Sequence, residues 1–219
     1  MNKGSKNRLT ANAARWFDSD SREHQIARAV CRAGVLPRKE WFEAWQVVKH
    51  VRRRKLRFTR VVDLCAGHGL VGWLFALLDQ PRDGVLLVDE KTPLNRTAIA
   101  RELHKDWPEA KVVDLQTSLA TVELRPTDLI VSVHACGGLT DAVLDRAVAV
   151  RAHVAVLPCC HPLSLPEAIA VEGIAAGDLA IDIARAHRLL REGYRVRTYL
   201  LDPKITPKNR LIIGGMLSA

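Results

Sequence analysis

The run Arg60-Val-Val-Asp-Leu-Cys-Ala-Gly-His-Gly69 constrains this chain more than any other segment: an apolar strand leads into an acid and then a glycine turn. A second apolar strand, Leu86-Leu-Val, ends in Asp89, 26 residues after Asp63. Two such strands, spaced by the length of a helix, predict parallel neighbours in an open α/β sheet with a ligand edge at their carboxyl ends.

The alternation continues along the chain. Apolar strands are expected at 59–64, 84–88, 110–113, 128–133, 153–157, 194–200 and 211–213, with helices near 69–80, 94–106, 139–150, 166–172 and 178–192. Runs rich in Val, Leu and Ile between helices indicate a parallel sheet covered on both faces. No helix separates the last two strands; the link Asp202-Pro-Lys-Ile-Thr-Pro-Lys-Asn-Arg210 permits an antiparallel pairing. The expected fold is α/β: a Rossmann-like, seven-stranded class I methyltransferase sheet with a final antiparallel hairpin.

Residues 1–57 are expected as a basic helical N-terminal extension, with the main domain over 58–219. Residues 1–8 read as a loose basic tail. Helical spacing begins near Leu9, Asp20 or Ser21 caps a second helix that stops at Gly34, and Pro37 opens a third. Trp41, Ala44, Trp45, Val48 and Val51 form an apolar stripe on that third helix. Its end, Lys49-His-Val-Arg-Arg-Arg-Lys55, is strongly basic.

The charge is lopsided. Of a net +9, residues 1–60 hold sixteen Lys/Arg against five Asp/Glu, whereas the rest is near neutral. A basic face of this kind suits a polyanion, and RNA is the expected partner. Arg52, Arg53, Arg54, Lys55 and Arg57, with Lys204, Lys208 and Arg210, are the expected phosphate-holding groups. No apolar run reaches the length of a membrane span or a signal sequence. Five cysteines, two of them adjacent, fit a reducing cytoplasm better than disulfides. Nothing indicates an obligate protein partner.

The turn Cys65-Ala-Gly67-His-Gly69 lacks the three-glycine spacing of a dinucleotide fingerprint. Asp63 would repel a pyrophosphate but attract an ammonium group. S-adenosylmethionine is therefore the expected cofactor in place of NAD. Asp63, Cys65, Gly67 and Gly69 would line its methionine side, Asp89 with Glu90 the ribose, Asp114 the adenine amino group, and His134 the far wall.

Two strand ends carry the candidate chemistry: Ser132-Val-His134-Ala-Cys136-Gly-Gly138 and Pro158-Cys159-Cys160-His161. Strands 4 and 5 are neighbours in a doubly wound sheet, so five thiol or imidazole groups gather. A metal site, a cysteine nucleophile, and direct transfer assisted by His134 or His161 all compete with simple packing. No metal is assigned, because adjacent cysteines reach one ion less easily than a Cys-x-x-Cys pair. His134, Cys159 and His161 are the catalytic candidates.

Together with Thr206-Pro-Lys-Asn-Arg210, the segments 63–69, 88–91, 134–141 and 158–161 resemble one branch of the methyltransferase superfamily. That branch holds the eukaryotic tRNA 2′-O-methyltransferases of the acceptor stem and the methyltransferase-like 25 proteins. The resemblance implies cofactor contacts at Asp63, Gly67, Gly69 and Asp89. It also implies an acceptor pocket at His134, Cys136, Asp141 and Cys159 to His161. The chain lacks the N-terminal cysteine-rich zinc modules of the tRNA enzymes. The expected function is S-adenosylmethionine-dependent methylation of RNA at oxygen or nitrogen. The alternatives are a protein or small-molecule methyltransferase, or a catalytically silent binding protein.

Overall fold

Seven strands form one sheet: β1 (Arg60–Leu64), β2 (Val85–Asp89), β3 (Val112–Gln116), β4 (Asp128–Val133), β5 (His153–Leu157), β6 (Tyr194–Leu200) and β7 (Arg210–Met216). Their order in the computed structural model, which describes residues 2–171 and 173–216, is β3-β2-β1-β4-β5-β7-β6. Strands β1 to β5 are parallel, and β7 runs antiparallel between β5 and β6. The seven-stranded sheet with its closing antiparallel hairpin is the architecture the strand pattern predicts. The helices between strands are α3 (Leu70–Leu78), α4 (Leu94–Asp106), α5 (Leu139–Val150), the single turn α6 (Pro166–Ile169) and α7 (Gly177–Arg191).

Two strands differ from expectation. β3 starts two residues late, so Asp114 lies inside it. β3 is an edge strand with four of its five residues exposed, and its apolar content therefore marks it poorly. β7 is longer than its Leu211–Ile213 core because it continues through Gly214 and Gly215. A Cβ at Gly214 would come within 2.9 Å of Tyr194 Cδ1, so the glycine reflects close packing rather than a strand end.

The N-terminal part forms a short 3-10 helix (Ala11–Trp16), α1 (Arg22–Ala33) and α2 (Arg38–Arg52). Ser21 caps α1 by accepting the His24 N–H, and Gly34 ends it at φ 68°. Trp41, Val48 and Val51 of the predicted stripe are buried and join one hydrophobic cluster with Trp73, Leu74, Leu87 and Leu129 of the sheet domain. These N-terminal helices therefore share the core that covers one face of the sheet. α5 and α7 supply the cluster on the other face.

The expected loose tail is a correction. Residues 2–8 are tied to α2, whose first turn has no side-chain cap at Pro37. Asn7 O accepts from the Arg38 N–H and Ser5 O from the Lys39 N–H, while Leu9 is fully buried. The tail satisfies helix-start donors that would otherwise be orphaned. It also fixes where α2 begins, at the carboxyl edge of the sheet.

Candidate active site at the carboxyl edge of the sheet

The glycine turn between β1 and α3 builds the first half of the site. Gly69 stands at φ 73°, and a Cβ there would approach Leu87 Cδ1 to 2.8 Å. The turn thus wraps against β2 in a way only glycine permits. Asp63 is buried, and its Oδ2 accepts the Gly72 N–H at 3.0 Å. Burial pushes its carboxyl up to about 7, against the pull of that N–H and of Arg96. A buried acid so poorly compensated fits a cationic partner such as the ammonium of a sulfonium nucleoside.

Asp89 accepts the Gly67 N–H at 2.9 Å and the Lys91 N–H at 3.2 Å, and its side chain keeps 25% exposure. A carboxylate has about four lone-pair sites, so room remains for ribose hydroxyls. Glu90 is exposed beside it. Cys65 sits at φ 57°, and burial, followed by Asp89 and Asp63, pushes its thiol up to about 11. It is a neutral wall of the turn.

Arg96 is the group that sequence reading missed on this side. It is almost wholly buried, donates from Nε to Gly67 O at 2.7 Å and from Nη1 to Asp114 Oδ1 at 2.5 Å, and lies 3.5 Å from Asp89. Asp114 is therefore held by Arg96 rather than standing free. One guanidinium ties the glycine turn to the tip of β2 and the middle of β3.

The second half lies beyond β4 and β5. His134 follows β4 at φ 65°, a conformation unusual for a non-glycine residue, with its N–H on Leu157 O. Its Nε2 lies 2.8 Å from Oε2 of Glu43, which is buried on α2. Burial opposes ionisation of Glu43, yet the His134 pair holds its carboxyl below the usual range. One turn away, Glu40 Oε2 lies 3.3 Å from His68 Nε2 in the glycine turn. Burial pushes His68 down to about 4. α2 is thus a wall of the site, its two glutamates three residues apart on the helical face that meets both histidines. That spacing was the available signal, hidden in a segment that reads as a basic extension.

The other catalytic candidates stand differently. His161 is buried, with Nε2 2.7 Å from Asp182 Oδ1, inside a network that joins Asp182 to Arg185 and Arg210. Cys159 lies within 3.3 Å of the Cys136 sulfur and 3.6 Å of the Cys160 sulfur. Burial, then those two thiols, push Cys159 up to about 12, which favours its protonated form over a free thiolate nucleophile at neutral pH.

A family model described as a methyltransferase domain matches residues 40–164. The chain belongs to that family. Its fold is similar to that of an O-methyltransferase family protein from Burkholderia thailandensis, with TM-score 0.55, 14% identity, and coverage of 96% of this chain and 64% of that one. A tRNA methyltransferase of B. subtilis gives TM-score 0.52 at 12% identity over 80% of this chain and 66% of that one. A ribosomal protein methylase from Lactobacillus delbrueckii subsp. bulgaricus gives 0.50 at 15% identity, over 80% and 77%. A glutathione S-transferase C-terminal domain-containing protein of Xenopus laevis is 32% identical over 105 residues. That match covers 46% of this chain and 16% of the relative, so it reaches about a sixth of that protein's length. The fold is that of an S-adenosylmethionine-dependent class I methyltransferase, shared by proteins of diverse acceptors.

In this methyltransferase domain the predicted phosphate-holding residues fall at two opposite edges. α2 is about 22 Å long, and it runs from the site to the amino edge of the sheet. There Arg52 pairs with Asp79 at 3.0 Å, and the Arg57 carbonyl contacts His153 at the start of β5. Arg53, Arg54, Lys55 and Arg57 are on that far edge. Lys204 and Lys208 lie on the site side, in the link before β7, and Arg210 is the first residue of β7. Arg210 is engaged by Asp178 and Asp182 at 2.6 Å each, and Lys208 lies 3.5 Å from Asp178. Arg52, Lys208 and Arg210 thus each have an acidic partner within the chain. Among the described residues no helix is long and apolar enough to cross a membrane.

Proposed function

We propose that the chain transfers a methyl group from S-adenosylmethionine to an oxygen or nitrogen atom of RNA. The branch of the tRNA 2′-O-methyltransferases and methyltransferase-like 25 proteins is the one its motifs resemble. The observation that carries the chemistry is the 2.8 Å contact between His134 and the buried Glu43, beside the donor edge. With Nε2 turned to Glu43, the other ring nitrogen is the one left to take a proton from the acceptor. Glu43, close to the ring and buried, would stabilise the imidazolium that forms.

The bound cofactor supplies an electrophilic methyl group on a sulfonium centre. Asp63 would hold its ammonium, Asp89 its ribose and Asp114, through the Arg96 bridge, the adenine side. Cys65, Gly67 and Gly69 shape the turn, and Glu90 flanks the ribose. His161 would position the loop after β5 through Asp182 rather than touch the acceptor.

RNA as the acceptor is supported by the excess of cations in residues 1–60 and by Lys204 and Lys208 on the site side. The test is incubation of the purified protein with radiolabelled S-adenosylmethionine and undermodified total RNA, followed by digestion to nucleosides. Label in one nucleoside, abolished in His134→Ala, is the expected result. Label confined to protein or small molecules would overturn the RNA assignment.

A further inference from the structure

We propose that Cys136, Cys159 and Cys160 form a three-thiolate site for a thiophilic divalent cation, with zinc as the ion of choice. Their sulfur atoms converge within 4.8 Å of one another. The separations are 3.3 Å (Cys136 to Cys159), 3.6 Å (Cys159 to Cys160) and 3.7 Å (Cys160 to Cys136). Tetrahedral zinc with bonds of about 2.3 Å to sulfur sets neighbouring sulfurs about 3.8 Å apart. A triangle of the observed size has its centre about 2.0 Å from each corner, so the ion rides about 1 Å out of the sulfur plane. The fourth coordination position is then open, as in zinc sites that bind water or a substrate atom. The donor set is all sulfur, which selects zinc over magnesium or calcium.

The backbone explains why adjacent cysteines meet one ion here. β4 and β5 are parallel with Val133 opposite Leu157, so Cys136 and Cys160 each stand three residues beyond a strand end. His134 and Gly137 both have positive φ, 65° and 62°, and curl the loop after β4 back toward β5. Cys159, half-buried, forms the inner corner, while Cys136 and Cys160 are exposed and give an ion a path from solvent. Three free thiols packed this closely gain little from one another, whereas a cation would replace three protons and satisfy all three at once.

An ion at this place would clamp the loop that presents His134 to the loop that carries His161. It would also put an open coordination position at the mouth of the acceptor side. The site goes beyond the methyl-transfer reading and does not rest on it. A Cys136–Cys159 disulfide is the competing state, and it needs the sulfurs to close to about 2.05 Å.

The untagged full chain is reduced, freed of metal under anaerobic conditions, loaded with zinc or cobalt and passed over a desalting column. Elemental analysis should give one equivalent of zinc, and cobalt should give an intense sulfur-to-metal charge-transfer band. Cys136→Ser and Cys160→Ser, both at exposed positions, should each weaken zinc at least about tenfold while thermal melts show a folded protein. Reduced protein that retains no metal overturns the proposal, whether its thiols stay free or close to a disulfide. Metal binding that persists unchanged in the double variant overturns it as well. None of these readouts involves methyl transfer, so they stand or fall apart from the donor site.

Discussion

The donor half of the site and the acceptor half are made by different means. The donor half, at the ends of β1 and β2, draws on Asp63, the turn to Gly69, Gly72 and Asp89, all within 27 residues of sequence. Most of its parts hydrogen-bond to one another through backbone groups, as in Gly72 to Asp63 and Gly67 to Asp89, and Arg96 adds one side-chain tie to Asp114. The acceptor half joins His134 to Glu43 and His161 to Asp182, pairs that bridge separate elements by side chains alone. Under the proposed function, a cofactor common to many enzymes would be met by a local turn, whereas an acceptor particular to one enzyme would be met by a long-range assembly. The two halves should therefore fail differently when mutated.

The largest effect is expected on the acceptor side. His134→Ala should lower kcat by about 10²- to 10⁴-fold, the usual worth of a general base, with affinity for S-adenosylhomocysteine changed less than about threefold. Glu43→Gln keeps the shape of the helix face but removes the charge behind the ring, and should cost about tenfold in kcat. Single-turnover assays beside calorimetry would separate these readouts. Equal losses of cofactor affinity and kcat in His134→Ala would erase the distinction between the halves.

On the donor side, Asp89→Ala should weaken S-adenosylmethionine about 100-fold, the loss of two hydrogen bonds to a charged acceptor. The melting temperature should change by only a few degrees, because Asp89 is partly exposed and borders the turn rather than the core. Unchanged affinity by calorimetry would remove the ribose assignment.

This division explains what was legible beforehand. The strand alternation, the closing hairpin and the acids at the ends of β1 and β2 follow from local patterns, since a buried parallel strand and a glycine turn each leave a mark within ten residues. Arg96 left none: an arginine in the first turn of a helix reads as surface, and only the fold turns it inward between Gly67 and Asp114. Glu40 and Glu43 were obscured in the opposite sense, inside a segment whose net charge is strongly positive. The site end of α2 balances Glu40 and Glu43 against Arg38 and Lys39, whereas its far end carries only cations, and a charge count over the whole segment hides the two acids. The tail before it read as loose because its role, offering carbonyls to the start of α2, involves no side chain. The three-thiol cluster needed the β4–β5 register, which puts residues 136 and 160 level although 24 positions separate them.

The titration of Asp63 sharpens the donor side further. Its folded pKa, pushed up to about 7 by burial, exceeds the ordinary value of 3.8. The folded state therefore holds a proton that the unfolded chain releases. The associated stability is complete below about pH 4 and fades as pH rises through about 7, in the absence of ligand. An ammonium ligand requires the ionised form, so its binding runs the other way. Affinity for S-adenosylmethionine should fall about tenfold for each pH unit below 7 and level off above it. Calorimetry in two buffers of different ionisation enthalpy should register proton release on binding near pH 6.5. A flat profile, or one unchanged in Asp63→Asn, would disconnect this acid from the ligand.

The smallest effect concerns the two basic edges. If RNA spans the molecule, removing Arg53, Arg54, Lys55 and Arg57 together should raise KM about three- to fivefold at physiological salt and leave kcat unchanged, since each exposed ion pair is weak. The logarithmic salt dependence of binding should flatten by about three, near 0.7 for each single-strand phosphate that is no longer neutralised. Lys204→Ala with Lys208→Ala, on the site side, should flatten it by about half as much yet lower kcat, because those cations sit where the acceptor nucleotide must be aligned. A far-edge variant with the salt slope of the parent would confine RNA to the carboxyl edge. The basic character of residues 49–57 would then be a feature of the solvated surface, and Lys204 and Lys208 would hold the phosphates alone.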